Sequence, residues 1–239
     1  MRYLVISDLH ASIVALDAVL EDSGPVDMVL ALGDYVGFGL HPNEVVNRLR
    51  GLPNMAIIKG NWYPGFQEDY SGAGNPPRPY NPISKRIVSM GLSIVSPETE
   101  AYLKSLPERT RLNLEEVPVL MVHGSVLDPM WGYLTQELNP ELLKSNARAS
   151  CARMVLHGDT HLQGSFDVDG VTFVNPGSTG WPSDGDPQAA YCIVDAETGS
   201  FKVDMRRVTY DVELVHRELV DAGLPNADNI LIGRSIWED

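Results

Sequence analysis

Five short fragments of this 239-residue chain set oxygen and nitrogen donors at the ends of apolar runs. Asp8 and His10 form D-L-H directly after YLVIS. Residues two apart on an extended chain point the same way, so an acid and an imidazole can converge on one cation there. Asp34 lies in ALGDYVGFG, where Gly33, Gly37 and Gly39 let the backbone turn sharply, and Asn61 closes IIKGN. His123 ends the apolar run of LMVHGS, and Asp159 and His161 lie in G-D-T-H after MVL-His157. Taken singly, each has a plain structural use: a capping or turn aspartate, or a hydrogen-bonded histidine. Their conjunction points elsewhere. Four of the six histidines (His10, His123, His157 and His161) fall in these fragments, each behind an apolar strand. Carboxylate, amide and imidazole donors of this kind suit a divalent cation.

The elements that must position these donors read as strands and helices in alternation. Tyr3–Ser7, Met28–Leu32 and Met55–Ile58 are predicted strands, with helices over Ser12–Leu20 and Pro42–Leu49 between them. This β-α-β-α-β order predicts a partly parallel sheet, and ligands in such sheets bind beyond the carboxyl ends of the strands. Residues 64–82 hold five prolines and three glycines in 19 positions, which predicts a long surface loop. Helical patterns return at Ile83–Gly91 and after Ser96-Pro97-Glu98, where Ser is an N-cap and Pro suits the first helical position. Strands follow at Leu112–Leu114, Val119–Val122, Met154–Leu156, Ser165–Val168, Val171–Val174, Tyr191–Val194 and Phe201–Met205, and a closing helix at Asp211–Ala222. No linker or repeat interrupts them, so residues 1–239 are expected to form one domain with a mixed two-sheet core and helices outside.

Composition narrows the function. With 18 Lys+Arg against 32 Asp+Glu, the net charge is −14, which disfavours general nucleic-acid binding. No apolar run approaches the ~20 residues of a membrane helix, and no secretory core precedes Asp8, so no membrane association and a cytoplasmic location are expected. Cys151 and Cys192 lack metal-ligand spacing and are expected to be small buried hydrophobes.

The ordered set D-L-H, G-D-Y, G-N, H-G and G-D-T-H resembles the calcineurin-like metallophosphoesterase superfamily over residues 1 to about 180. Within the superfamily the chain is similar in length and order to compact bacterial phosphodiesterases. NPGSTGWPSDGDP, residues 175–187, resembles a glycine-rich loop found after the last histidine in some of them. The resemblance implies an α+β fold, a four-layer αββα sandwich of two mixed sheets flanked by helices. It also implies two divalent metal ions, with a bridging hydroxide for in-line attack on phosphorus. One ion would take Asp8, His10, Asp34 and His161. The other would share Asp34 and add Asn61, His123 and Asp159, so that Asp34 and Asn61 also carry the catalytic role. Manganese is placed ahead of iron, zinc, nickel or magnesium.

Two positions depart from the family pattern. Position 159 is Asp where most relatives have the first His of G-H-T-H, which favours a harder ion such as Mn(II) or Mg(II). Position 62 is Trp where relatives commonly have a His that assists the leaving group. Indole is no general acid at neutral pH, and such assistance is typically worth ~10²- to 10⁴-fold. Trp62 can instead present an aromatic face to substrate, or fill space beneath the 64–82 loop. His157 is the remaining imidazole, but alternation along its strand turns it off the shared face. The expected activity is hydrolysis of a small phosphoester, a phosphodiester or nucleotide-type substrate. The alternative is a phosphoesterase-fold protein, weakened or inactive in catalysis, that serves as a binding or interaction module.

Overall fold

The computed structural model describes residues 1–62, 86, 89–91 and 93–234. Strands β1 (Arg2–Ile6), β2 (Met28–Ala31) and β3 (Met55–Ile57) run parallel, linked by α1 (Ile13–Asp22) and α2 (Pro42–Arg50). Late in the chain, β9 (Ala189–Glu197) pairs antiparallel with β1, and β10 (Ser200–Val208) pairs antiparallel with β9. This gives a five-stranded sheet of order β10-β9-β1-β2-β3. The second sheet is made from β4 (Arg109–Leu114), β5 (Val117–Val122), β6 (Met154–Leu156), β7 (Gly164–Val168) and β8 (Val171–Asn175). Its order is β4-β5-β6-β8-β7, with β5, β6 and β8 parallel and antiparallel strands at both edges.

Why β1 reads as an unbroken apolar run is clear from its two faces. Tyr3 and Val5 pack between the sheets, while Leu4 and Ile6 pack under the helices on the other side. A strand covered on both faces has no position to give to a polar side chain. Between the sheets, Val5, Leu30 and Leu32 meet Val119, Met121, Met154 and Leu156. Outside the first sheet lie α1, α2 and α3 (Pro97–Ser105), through Leu16, Val19, Val45, Leu49 and Leu103. Outside the second lies α4 (Pro140–Ser150), whose Leu143 and Ala147 cover Leu120, Val155 and Phe173. The result is an α+β sandwich of two mixed sheets between helical layers. A fourth apolar cluster joins α5 (Val212–Asp221) and a 3₁₀ turn (Ala227–Ile232) to Phe38 and Trp181.

Most predicted elements fall within a few residues of their observed bounds. The Ser96 hydroxyl accepts from the Thr99 N–H, and Asp211 caps α5 by accepting from the Leu214 N–H. The 64–82 loop lies outside the described residues. Of the helix expected at 83–91, residues 86 and 89–91 are helical and the rest lie outside them too. Helix α4 was not expected: its buried face includes Asn146 and Ser150, which dilute the apolar period. Cys192 is buried as expected, but Cys151 is exposed. It caps α4 in the left-handed conformation, φ 46°. Among the described residues, no helix is long and apolar enough to cross a membrane.

Candidate metal centre

Asp8, Asp34 and Asn61 lie just beyond the carboxyl ends of β1, β2 and β3, and His123 and the Asp159–His161 turn just beyond those of β5 and β6. All seven side chains meet at this edge. His161 Nε2 lies 3.6 Å from Asp8 Oδ1, and His10 Nε2 lies 3.0 Å from His161 Nε2 and 3.8 Å from Asp34 Oδ2. His123 Nε2 stands 3.4 Å from Asp34 Oδ1, 4.0 Å from Asp8 Oδ1 and 3.7 Å from Asp159 Oδ1. Asn61 joins through Nδ2, which donates to Asp159 Oδ1 at 2.7 Å. Six of the seven are buried; the Asp159 side chain keeps 15% of its surface exposed.

The turns that bring these groups together are tight and interlocked. His10 N–H donates to Asp34 O, Ala11 N–H to Tyr35 O and Asp8 N–H to Gly33 O, so the β1 and β2 turns hold each other beyond their strands. Asp8, His10, Asp34, Asp159 and His161 all have positive φ, between 43° and 65°. Non-glycine residues held there carry about 1–3 kcal/mol of strain each, a pattern concentrated at functional sites. At Gly60 a Cβ would collide with the Asp34 nitrogen and Oδ1, so only glycine lets β3 deliver Asn61 alongside Asp34.

Three imidazoles are oriented alike. Nδ1 of His10 faces Val36 O at 3.3 Å, Nδ1 of His123 faces Leu32 O at 2.8 Å, and Nδ1 of His161 faces Trp181 O at 2.6 Å. A carbonyl only accepts, so Nδ1 carries the hydrogen and Nε2 of the neutral ring presents a bare lone pair. Two such lone pairs, on His10 and His161, therefore face each other, an arrangement that a cation between or beside them relieves. Asp8 Oδ1, Asn61 Oδ1 and His123 Nε2 are buried with no hydrogen-bond partner. Each such atom costs about 1–3 kcal/mol unless something satisfies it. Asp8, His10 and His161 form one compact donor group, and Asp8, Asp34 and His123 another. On donor chemistry, tautomer and orphaned atoms alike, the residues fit divalent cations.

Protonation reflects the crowding. Burial pushes the Asp8 carboxyl up to about 8 and brings His10 down to about 4. For His123, burial opposes the charge, but Asp34, Asp8 and Asp159 outweigh it and raise the imidazole to about 10. Burial likewise works against the Asp34 carboxylate, yet facing His123 keeps it below its usual range. Three acidic side chains crowded around one imidazole draw in positive charge, the same demand that a metal ion meets.

Trp62 stands at the rim. Its main-chain N–H donates to Asp34 Oδ1 at 2.8 Å, and its half-buried indole meets Phe38 edge-on, 4.7 Å between ring centres, and His10 at 5.9 Å. His157 points away: its ring is buried beside Phe166 and Phe173 on the far face of the second sheet, with Nδ1 3.4 Å from Asn175 Nδ2. Sequence reasoning missed the loop at 175–181 as a support for the site. Ser178 Oγ donates to Asp8 O at 2.7 Å, Gly180 N–H donates to the same carbonyl at 3.1 Å, and Trp181 O receives His161. Asn175 Nδ2 donates to Gly158 O at 3.0 Å and Thr160 Oγ1 at 2.9 Å, bracing the turn that carries Asp159 and His161. The run N-P-G-S-T-G-W was the available signal.

Known proteins resemble the chain along nearly its whole length. A metallophosphoesterase from Sphaerobacter thermophilus is 32% identical, with a TM-score of 0.78, covering 98% of this chain and 99% of its own. A hypothetical protein from Pyrococcus horikoshii shares the fold at 22% identity and a TM-score of 0.84, covering 98% of each chain. An uncharacterized protein of Methanocaldococcus jannaschii is 29% identical over 249 residues, 96% of this chain and 97% of its own. Residues 1–199 match the calcineurin-like phosphoesterase superfamily domain, and the chain belongs to that superfamily.

Proposed function

We propose that this protein is a metal-dependent phosphoesterase acting on small phosphodiesters or nucleotide-type substrates through two divalent cations. The observation that carries the reading is the position of Asp34. One of its oxygens lies 3.8 Å from His10 Nε2 and the other 3.4 Å from His123 Nε2, so a single carboxylate reaches an imidazole of each donor group. Asp8, His10, Asp34 and His161 would hold one ion; Asp34, Asn61 and His123 would hold the other, with Asp159 beside Asn61. When bound, the ions supply positive charge to the phosphoester oxygens and acidify water to a usable nucleophile near neutral pH. The oxygen donors at the second site favour manganese or magnesium over iron, zinc or nickel. Asn61 and Asp34, held by fixed turns, keep the centre rigid while substrate enters.

Trp62 shapes which substrates react well. Indole gives no proton to a leaving group at neutral pH, so esters whose leaving groups depart unaided are preferred. Its aromatic surface suits an aryl or nucleobase group, for which stacking is worth ~1–3 kcal/mol. The test is hydrolysis of bis(p-nitrophenyl) phosphate by metal-free protein reloaded with Mn(II), Co(II), Ni(II), Fe(II), Zn(II) or Mg(II). Turnover highest with Mn(II) is expected. Absence of turnover with every metal would favour the second reading, a binding module that keeps the centre without catalysis, for which Trp62 in the usual acid's place is the supporting observation.

A further inference from the structure

The Asn61 carboxamide is fully engaged on its nitrogen side and unpartnered on its oxygen side. Nδ2 donates to Met130 O at 3.0 Å and to Asp159 Oδ1 at 2.7 Å. Oδ1 is buried with no hydrogen-bond partner. Turning the amide over would set its oxygen against a carbonyl and a carboxylate, three acceptors with no proton among them, so these two partners dictate which way it faces. The Met130 carbonyl belongs to the backbone and does not depend on a side chain. Asp159 is the partner that sequence can change. Its own position is fixed by N–H donation to Asp8 Oδ2 at 3.2 Å and by left-handed backbone, φ 65°. Asp159 also stands outside both compact donor groups.

We infer that Asp159 is a positioning residue for the second cation and not, as the family resemblance implies, one of its ligands: its carboxylate holds the Asn61 carboxamide so that the ion meets the oxygen and not the NH₂. This rests on the two-ion reading above. An imidazole at 159 has one acceptor nitrogen and cannot give it both to an ion and to Asn61, so the Asp is an alternative way of building this end of the centre.

Mn(II) titration of the metal-free protein, followed by electron paramagnetic resonance of free Mn(II), tests it. Wild type is expected to take up two equivalents. Asp159→Asn keeps an acceptor for Asn61 Nδ2 and tolerates left-handed backbone, so it retains the second equivalent. Asp159→Gly is unstrained at this φ but removes the acceptor, and it weakens the second equivalent by about 10–100-fold while sparing the first. Equal weakening in both variants, as an anionic ligand alone would give, overturns the inference and leaves the two-ion reading intact. So does full retention in Asp159→Gly. Uptake of a single equivalent by wild type removes the two-ion reading, and this inference with it.

Discussion

The two ends of the donor cluster are built by different means. At the His10–His161 end, both rings are fixed through Nδ1 to main-chain carbonyls, Val36 O and Trp181 O. Neither anchor depends on a side chain. At the Asn61 end, one anchor is again a carbonyl, Met130 O, but the other is the Asp159 carboxylate. The backbone-held end keeps the ligand types expected of the family, and the end held partly by side chains is where the departure at 159 falls. Donors anchored by the fold are indifferent to neighbouring substitutions, whereas donors anchored by side chains transmit them to the metal.

Breaking the residue common to both ends should have the largest effect. Asp34→Asn is expected to reduce Mn(II)-dependent hydrolysis of bis(p-nitrophenyl) phosphate to background; near-wild-type turnover would contradict a shared carboxylate. Separating the ends comes next. His161→Ala and Asn61→Ala should each retain one of two Mn(II) equivalents by mass spectrometric metal analysis, and loss of both ions from either variant would mean that the ends are not separable. Stripping both ions with a chelator should lower Tm. At a free concentration 1,000 times Kd, one ion stabilises by about 4 kcal/mol, and each kcal/mol is worth roughly 2–4 °C for a chain of this size. Calorimetry with and without Mn(II) measures this. Trp62→Ala should reduce kcat/KM for aryl diesters about tenfold relative to alkyl diesters, with Trp62→Phe largely restoring it; an unchanged ratio would assign Trp62 to packing alone. Smallest is Asp211→Ala. It removes the α5 cap and should cost about 1 kcal/mol in urea unfolding with Mn(II) uptake unchanged.

Much of this was legible in the sequence because strands buried on both faces leave their polar residues no position but the ends. The run from Tyr3 to Ile6 announces β1, and Asp8 after it announces the edge where donors collect. Helix α4 was hidden because Asn146 is buried for its hydrogen bonds, accepting from the Leu127 N–H and donating to Leu142 O. Hydropathy periodicity cannot register such a residue. The left-handed backbone of Asp8, His10, Asp34, Asp159 and His161 was equally hidden, since it follows from turns pressed against each other and not from residue type. The direction of the Asn61 amide needed Met130 and Asp159, which lie 69 and 98 residues away in the chain.

One feature reaches beyond chemistry at phosphorus. Asp8, Asp34 and Asn61 come from one sheet and His123, Asp159 and His161 from the other, so any ion held among them acts as a clasp across the seam of the sandwich. Loading and unloading that clasp would set how readily the two halves breathe apart at this edge, and amide exchange at the last residues of β3 and β6 would keep time with the metal.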